Sequence, residues 1–294
     1  MTAMSKKILF LGYGYTARAL AALLRADRWT IAGTARSAEK AAAVEADGAE
    51  PVLWTEGGID PRALDGVEAL LVSTPPDEEG CPSFRALREQ LPAQARALAW
   101  IGYLSSNAVY GDHGGAWVDE TSNLAPTTKR GFARIAAEAA WASHAAEHSA
   151  PFAIFRLPGI YGAGRSALES VREGRAQRIY KEGQVFNRMH VDDIAATLKA
   201  SIERPLAGEL FNLSDDEPSP PQDVIEYACA LLGVEPPPLV PLEHAGLSEM
   251  GRSFYGDNKR VGNARLKQAL GVTLRYPTYR EGLDALFREG FARA

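Results

Sequence analysis

Six residues, Gly12-Tyr-Gly14-Tyr-Thr-Ala17, sit between a short apolar run, Lys7-Ile-Leu-Phe-Leu-Gly12, and an alanine-rich stretch of helical spacing from Thr16 to Arg25. Few folds ask for that order. A Gly-x-Gly-x-x-Gly/Ala match at a strand-to-helix turn is a phosphate cradle. Gly12 permits the tight turn. Gly14 lets a pyrophosphate approach the backbone, and Ala17 is small enough for a helix to pack closely on a sheet. The helix N-terminus then offers unpaired N–H groups and a positive dipole end to the anion. An unliganded glycine turn can share this spacing, so the motif takes its meaning from the rest of the chain.

The rest is regular. Trp29–Ala35, Glu50–Trp54, Val67–Ser73, Ala99–Ser105, Phe152–Leu157 and Glu209–Leu213 read as strands. Ser37–Ala46, Ser83–Leu98 (bent or split by Pro92), Arg130–His148 and Asp192–Ile202 read as helices. Strands apolar on both faces, alternating with helices, predict an α/β fold: a doubly wound parallel sheet of the Rossmann kind. Proline-rich stretches at Pro218–Pro221 and Pro236–Pro238 mark a smaller C-terminal lobe, with helices expected over Gln222–Leu232 and Asn263–Leu270. The predicted division is a dinucleotide-binding domain over 1–163, rejoined by 189–214, and a substrate-binding lobe over 164–188 and 215–294.

The end of the second strand selects among dinucleotides. An acidic residue there binds the ribose hydroxyls of NAD. This chain has Thr34-Ala-Arg36-Ser37 instead. A guanidinium and a hydroxyl bind a 2′-phosphate that a carboxylate would repel, so the expected cofactor is NADP(H). Net charge is −5, with Lys and Arg scattered, which argues against nucleic acid as a partner. No apolar run approaches membrane-spanning length. Cys81 and Cys229 form no metal or disulfide framework and point to a reducing, cytoplasmic compartment.

Further motifs follow in order: Ser105-Ser-Asn-Ala-Val-Tyr-Gly111, Arg156-Leu-Pro-Gly-Ile-Tyr-Gly162, Asn187-Arg-Met-His-Val-Asp-Asp-Ile-Ala195, Lys259-Arg-Val-Gly-Asn-Ala-Arg265 and Tyr276-Pro-Thr-Tyr-Arg-Glu-Gly282. With the glycine turn they resemble the extended short-chain dehydrogenases/reductases, the NAD(P)-dependent epimerase/dehydratase family, from Ile8 to about Leu283. The turn is more compact than the Gly-x-x-Gly-x-x-Gly common in that family. The resemblance implies that Tyr15, Thr16, Thr74 and Pro158 join Gly12, Gly14, Arg36 and Ser37 around the cofactor. It puts Ser106 against the reacting oxygen, and Arg165, Arg188 and His190 against an anionic, nucleotide-sugar-like substrate. Asp192 and Asp193 are expected to cap the next helix. Pairing of the Ser83–Leu98 and Arg130–His148 helices across a homodimer is also implied.

One part of the pattern is altered. Where the family carries tyrosine, three residues and lysine, this chain reads Arg130-Gly-Phe-Ala-Arg134, then Glu138. Arg134 can still hold a ribose hydroxyl. Arg130 can stabilise a negative oxygen, but a guanidinium does not cycle a proton near neutral pH. The proton then comes from Tyr110, Tyr161, His113 or His190, or from water beside Arg130, or the site does no chemistry. A Tyr-x-x-x-Lys match at Tyr255–Lys259 lies far downstream and reads as coincidence, although Lys259 and Arg260 can face the substrate cleft. Two functions are therefore expected. One is hydride exchange between a nicotinamide and a carbonyl or hydroxyl of a small anionic substrate. The alternative is a catalytically silent NADP(H)-binding sensor or scaffold.

Overall fold

The computed structural model describes residues 6–56, 58–91, 98–206 and 208–291. Among them the strands are β1 (Lys7–Leu11), β2 (Thr30–Ala35), β3 (Glu50–Thr55), β4 (Gly58–Ile59), β5 (Val67–Val72), β6 (Trp100–Ser106), β7 (Phe152–Leu157) and β8 (Glu209–Asn212). They form one sheet in the order β8-β7-β6-β5-β1-β2-β3-β4. Every pairing is parallel except β3 with β4. The expected doubly wound parallel sheet is what the chain forms.

The helices are α1 (Tyr15–Ala26), α2 (Ala38–Ala46), α3 (Pro82–Leu87), α4 (Lys129–Glu147), α5 (Ala167–Arg172), α6 (Val191–Glu203), α7 (Pro221–Leu232), α8 (Glu249–Ser253), α9 (Ala264–Leu270) and α10 (Tyr279–Leu286). Leu20 and Leu24 of α1, Ile194 and Leu198 of α6 and Leu266 of α9 pack on one sheet face. Leu87 of α3 and Trp141 and Ala145 of α4 pack on the other. Burial on both faces is why the strands read as continuous apolar runs.

The helix starting at Pro82 ends at Leu87, gives way to a turn over 88–90 and is helical again at Leu91; the interruption spans the residues whose helical hydrogen bond and space a proline at 92 removes, and residues 92–97 of the expected helix lie outside the described residues. One expectation about the elements changes. Asp192 and Asp193 do not cap α6. The cap is His190, whose Nδ1 accepts from the Asp192 amide at 3.2 Å. The buried Asp193 carboxylate instead accepts from the Arg275 and Tyr276 amides at 2.7 and 2.9 Å, tying α6 to the late chain.

Segments 164–188 and 215–291 add no strand to the large sheet. They return to it through short parallel pairings: Gly159–Tyr161 with Arg188–His190, and Trp117–Val118 with Arg260–Val261. Both lie past the C-terminal edge of the sheet, where open α/β sheets hold ligands.

Candidate functional site

The sheet order reverses at β1, which has β2 on one side and β5 on the other. A cavity of about 1110 Å³ opens there, lined by Gly12, Tyr13 and Gly14 after β1, Thr34 to Ser37 after β2, and Ser73 to Pro76 after β5. The glycines differ in role. Gly12 has φ +99°, and a Cβ on it would lie 2.6 Å from the Ser73 hydroxyl. Its amide donates to Thr34 Oγ1 at 2.8 Å. Gly14 is exposed, and a Cβ there meets nothing within 4 Å. The space over Gly14 is the space a pyrophosphate needs, beside the first turn of α1. The residues present fit a dinucleotide.

Arg36 is exposed at the mouth of this cavity, with Ser37, Lys40 and Arg18 along its wall. Ser37 caps α2 by accepting from the Lys40 amide at 3.2 Å. Asp47 also lines the cavity, but its carboxylate is paired with Arg18 at 2.6 Å. The edge where a 2′-phosphate would lie is therefore cationic. The sequence did not single out Arg18 and Lys40; their place in the first turn after each strand is the signal that finds them. Thr74 lines the cavity too, its hydroxyl sharing a 2.6 Å hydrogen bond with Ser83. Thr16 is buried in α1 and is not among the residues that line this cavity. Tyr15 bridges: its phenol donates to the Ala163 carbonyl at 2.9 Å, and Arg165 lies over its ring at 5.9 Å.

A second cavity, of about 630 Å³, gathers residues from both parts of the chain. The core contributes Ser106, Asn107, Arg130, Arg134 and Pro158. The late segments contribute Arg165, Arg188, Ser253, Phe254, Tyr255, Asp257 and Lys259. Ser106 closes β6 and caps the following turn, accepting from the Ala108 amide at 3.2 Å. Arg134, one turn into α4, donates to the Leu104 carbonyl at 2.6 Å and to the Tyr103 hydroxyl at 3.3 Å. Arg130 turns away toward the small lobe, donating to Ser253 Oγ at 3.3 Å and lying 5.3 Å from the centre of the Phe254 ring.

Below Ser106 the polar residues are consumed by a buried network. Ser105 donates to Glu138 at 2.5 Å, and Glu138 takes two bonds from the Arg156 guanidinium, at 2.8 and 3.2 Å. Arg156 donates to the Tyr110 hydroxyl at 3.0 Å, which donates to Asn212 at 2.7 Å. Tyr110 is fully buried and lines neither of these two cavities, so it is placed as a strut rather than a proton donor. His113 also lies off the cavities, its Nε2 3.1 Å from the Tyr110 carbonyl oxygen. His190, expected to touch substrate, does not line them either; its buried ring packs against Tyr161 and Tyr276. Of the four tyrosines and histidines considered as acids, Tyr161 alone lines the second cavity, and burial holds its phenol far above the usual range.

Arg165 and Arg188 line both this cavity and an adjoining one of about 330 Å³, which also holds Arg175 and Ser166. Burial lowers the Arg188 pKa, opposed by Asp215. Asp215 has the reciprocal problem: desolvation pushes its carboxyl up to about 8 despite Arg188.

Comparison with known proteins adds four findings. Residues 92–214 match the model of the NAD dependent epimerase/dehydratase family. Protein YeeZ of Escherichia coli strain K12 is 27% identical over 289 residues, spanning 92% of this chain and 97% of that one. The structure of a functionally unknown conserved protein from Silicibacter pomeroyi DSS superposes with TM-score 0.91 at 49% identity, over 98% of this chain and all of that one. A UDP-glucuronic acid 4-epimerase from Bacillus cereus, solved in complex with NAD, has the same fold at 16% identity and TM-score 0.73, over 96% of this chain and 97% of that one.

Proposed function

We propose that the chain, whose residues 92–214 match the NAD dependent epimerase/dehydratase family model, is a member of that family of extended short-chain dehydrogenases/reductases and an NADP(H)-dependent oxidoreductase or epimerase-like enzyme acting on a carbonyl or hydroxyl of a small anionic substrate. One observation carries the reading: a glycine-lined cavity stands at the sheet's switch point, and a second cavity gathers Ser106 and four guanidiniums, those of Arg130, Arg134, Arg165 and Arg188. Gly12, Gly14 and Thr74 would hold the dinucleotide, with Arg36, Ser37 and Lys40 on its 2′-phosphate. A bound nicotinamide supplies or accepts a hydride. NAD is present in the complex of the Bacillus cereus epimerase; the cationic end of β2 in this chain is the reason to assign the phosphorylated form.

Within the second cavity Ser106 offers its hydroxyl to the substrate oxygen. Arg134, fixed to the Leu104 carbonyl, supplies positive charge beside the turn that carries Ser106. Arg165 and Arg188 would bind the substrate's anionic group, where paired N–H donors suit phosphate or carboxylate. A cytoplasmic homodimer remains part of this proposal.

The alternative, a sensor without chemistry, is favoured by one contact: Arg130 is engaged with Ser253 and Phe254 of the lobe, where the family tyrosine would face substrate. Calorimetry with NADPH and NADH, followed by an NADPH-oxidation screen of sugar nucleotides and small aldehydes, separates the readings. NADPH binding with turnover of an anionic carbonyl compound is the expected result. Binding without turnover supports the sensor. No heat with either nucleotide removes both.

A further inference from the structure

The second cavity holds four arginines, which cannot give up a proton near neutral pH. Its two tyrosines, Tyr161 and Tyr255, are both held above the ordinary phenol range by burial. One amine remains. Lys259 enters the cavity wall from the C-terminal lobe, four residues after Tyr255, in the match that the sequence left without a role.

The placement of Lys259 is over-determined. The segment around it is stitched to the loop that leaves Ser106: the His113 and Gly115 amides donate to the Asn258 carbonyl at 2.9 and 3.0 Å, and the Asn258 amide donates to Asp112 at 2.8 Å. Lys259 Nζ itself donates to the Gly111 carbonyl at 2.7 Å, at the far end of the turn that Ser106 begins. It also pairs with Asp257 at 3.3 Å, and Asp257 in turn accepts from Thr127 at 2.6 Å. An ammonium has three N–H groups. Two are taken among the described residues, which leaves one for a ligand in the cavity.

We propose that Lys259 is the proton donor and acceptor of this site, standing in from the opposite lobe for the tyrosine that Arg130 displaced. The step rests on the oxidoreductase reading above. When a carbonyl is reduced, its carbon receives a hydride from the reduced dinucleotide. One Lys259 N–H bond breaks as the substrate O–H bond forms, and the neutral amine takes a proton back from solvent. Oxidation runs the same transfers in reverse, with the neutral amine accepting the hydroxyl proton. The charged groups facing Lys259 are Asp257 and Asp112, which favour the ammonium; burial opposes them and prevails, so the amine loses its proton more easily than an ordinary lysine. Lys181, whose Nζ lies 2.5 Å from the Tyr255 carbonyl oxygen, is the neighbouring cation.

Two measurements test this, the first independent of turnover. The whole protein is treated with pyridoxal 5′-phosphate, an aldehyde carrying a phosphate suited to the cavity arginines, and trapped with borohydride. Attack of the neutral amine on the aldehyde carbon expels water to give an imine, and borohydride reduces it to a stable secondary amine. Peptide mass spectrometry at stepped pH should find Lys259 modified at lower pH than the exposed Lys40 and Lys129. Modification of those lysines with Lys259 untouched throughout overturns the proposal. In the second, Lys259→Met and Lys259→Arg are compared on the carbonyl substrate found by the oxidation screen. Both should lower kcat about 100-fold or more with the NADPH Kd unchanged. Arginine keeps the charge but cannot cycle the proton, so a fully active Lys259→Arg enzyme also overturns it. If the screen finds no substrate, the oxidoreductase reading fails on its own, while the labelling still reports whether a reactive amine faces the cavity.

Discussion

Arg36 decides a single contact. Its guanidinium stands at the end of β2, beside Ser37 and Lys40, where a carboxylate would select the unphosphorylated ribose. A charge-assisted hydrogen bond contributes about 1.5–3 kcal/mol. Arg36→Asp should therefore lower the preference for NADPH over NADH roughly ten- to a hundred-fold, read as the ratio of Kd values from calorimetry. An unchanged ratio removes Arg36 from the cofactor site. At this scale the sequence was informative wherever chemistry depends on residue type alone. It was uninformative about His190 and Tyr110, whose Nδ1 and hydroxyl serve an α6 cap and a buried strut. A side chain's type gives no clue to which of its neighbours has already claimed it.

Helix α4 shows how an element is positioned by one residue. A Cβ on Gly131 would lie 2.6 Å from Pro126 and 2.9 Å from the Ala108 carbonyl oxygen, in the turn that follows Ser106. Thr128 caps the helix there, accepting from the Gly131 amide at 3.1 Å. That close approach fixes the first turn of α4, and with it Arg130 and Arg134, against the Ser106 turn. In an exposed helix, alanine is preferred to glycine by about 0.8–1.0 kcal/mol. Here Gly131→Ala should instead destabilise by about 1–3 kcal/mol, because the added methyl forces backbone apart. Urea denaturation measures it; a gain in stability would show that the helix can move without cost. The alanine-rich run read as Arg130–His148 lies within a residue of α4 at each end. The helix after Pro82 is interrupted at 88–90, ahead of Pro92, where a proline denies the preceding turn its hydrogen bond.

Asp215 acts at the scale of the molecule. It sits where the chain leaves β8 for the small lobe, its amide donating to the Arg188 carbonyl at 2.8 Å, and one of its carboxylate oxygens is buried with no partner. Burial raises its pKa to about 8 from the ordinary 3.8. A group whose folded pKa is raised binds its proton more tightly in the native state, so its contribution to stability is fully present below the unfolded value and is lost as pH rises toward the folded one. Native stability should therefore fall between about pH 4 and pH 8 by more in the wild type than in Asp215→Asn, followed by urea titration at stepped pH. Equal slopes in the two proteins would place the pH dependence elsewhere.

The architecture was legible because it repeats. Alternating apolar strands and alanine-rich helices, with glycines at the first turn, state a doubly wound sheet locally, segment by segment, and cofactor chemistry follows from residues close together in sequence. The reactive cavity is not local. Ser106 and Lys259 are 153 residues apart, and they line one cavity because the late chain pairs Arg260–Val261 with Trp117–Val118 and ties Asn258 to the loop after Tyr110. Spacing along a chain reports which residues share a strand or a turn. Which lobe delivers an amine to a distant serine is decided by long-range pairing and burial, and only the folded molecule contains that information.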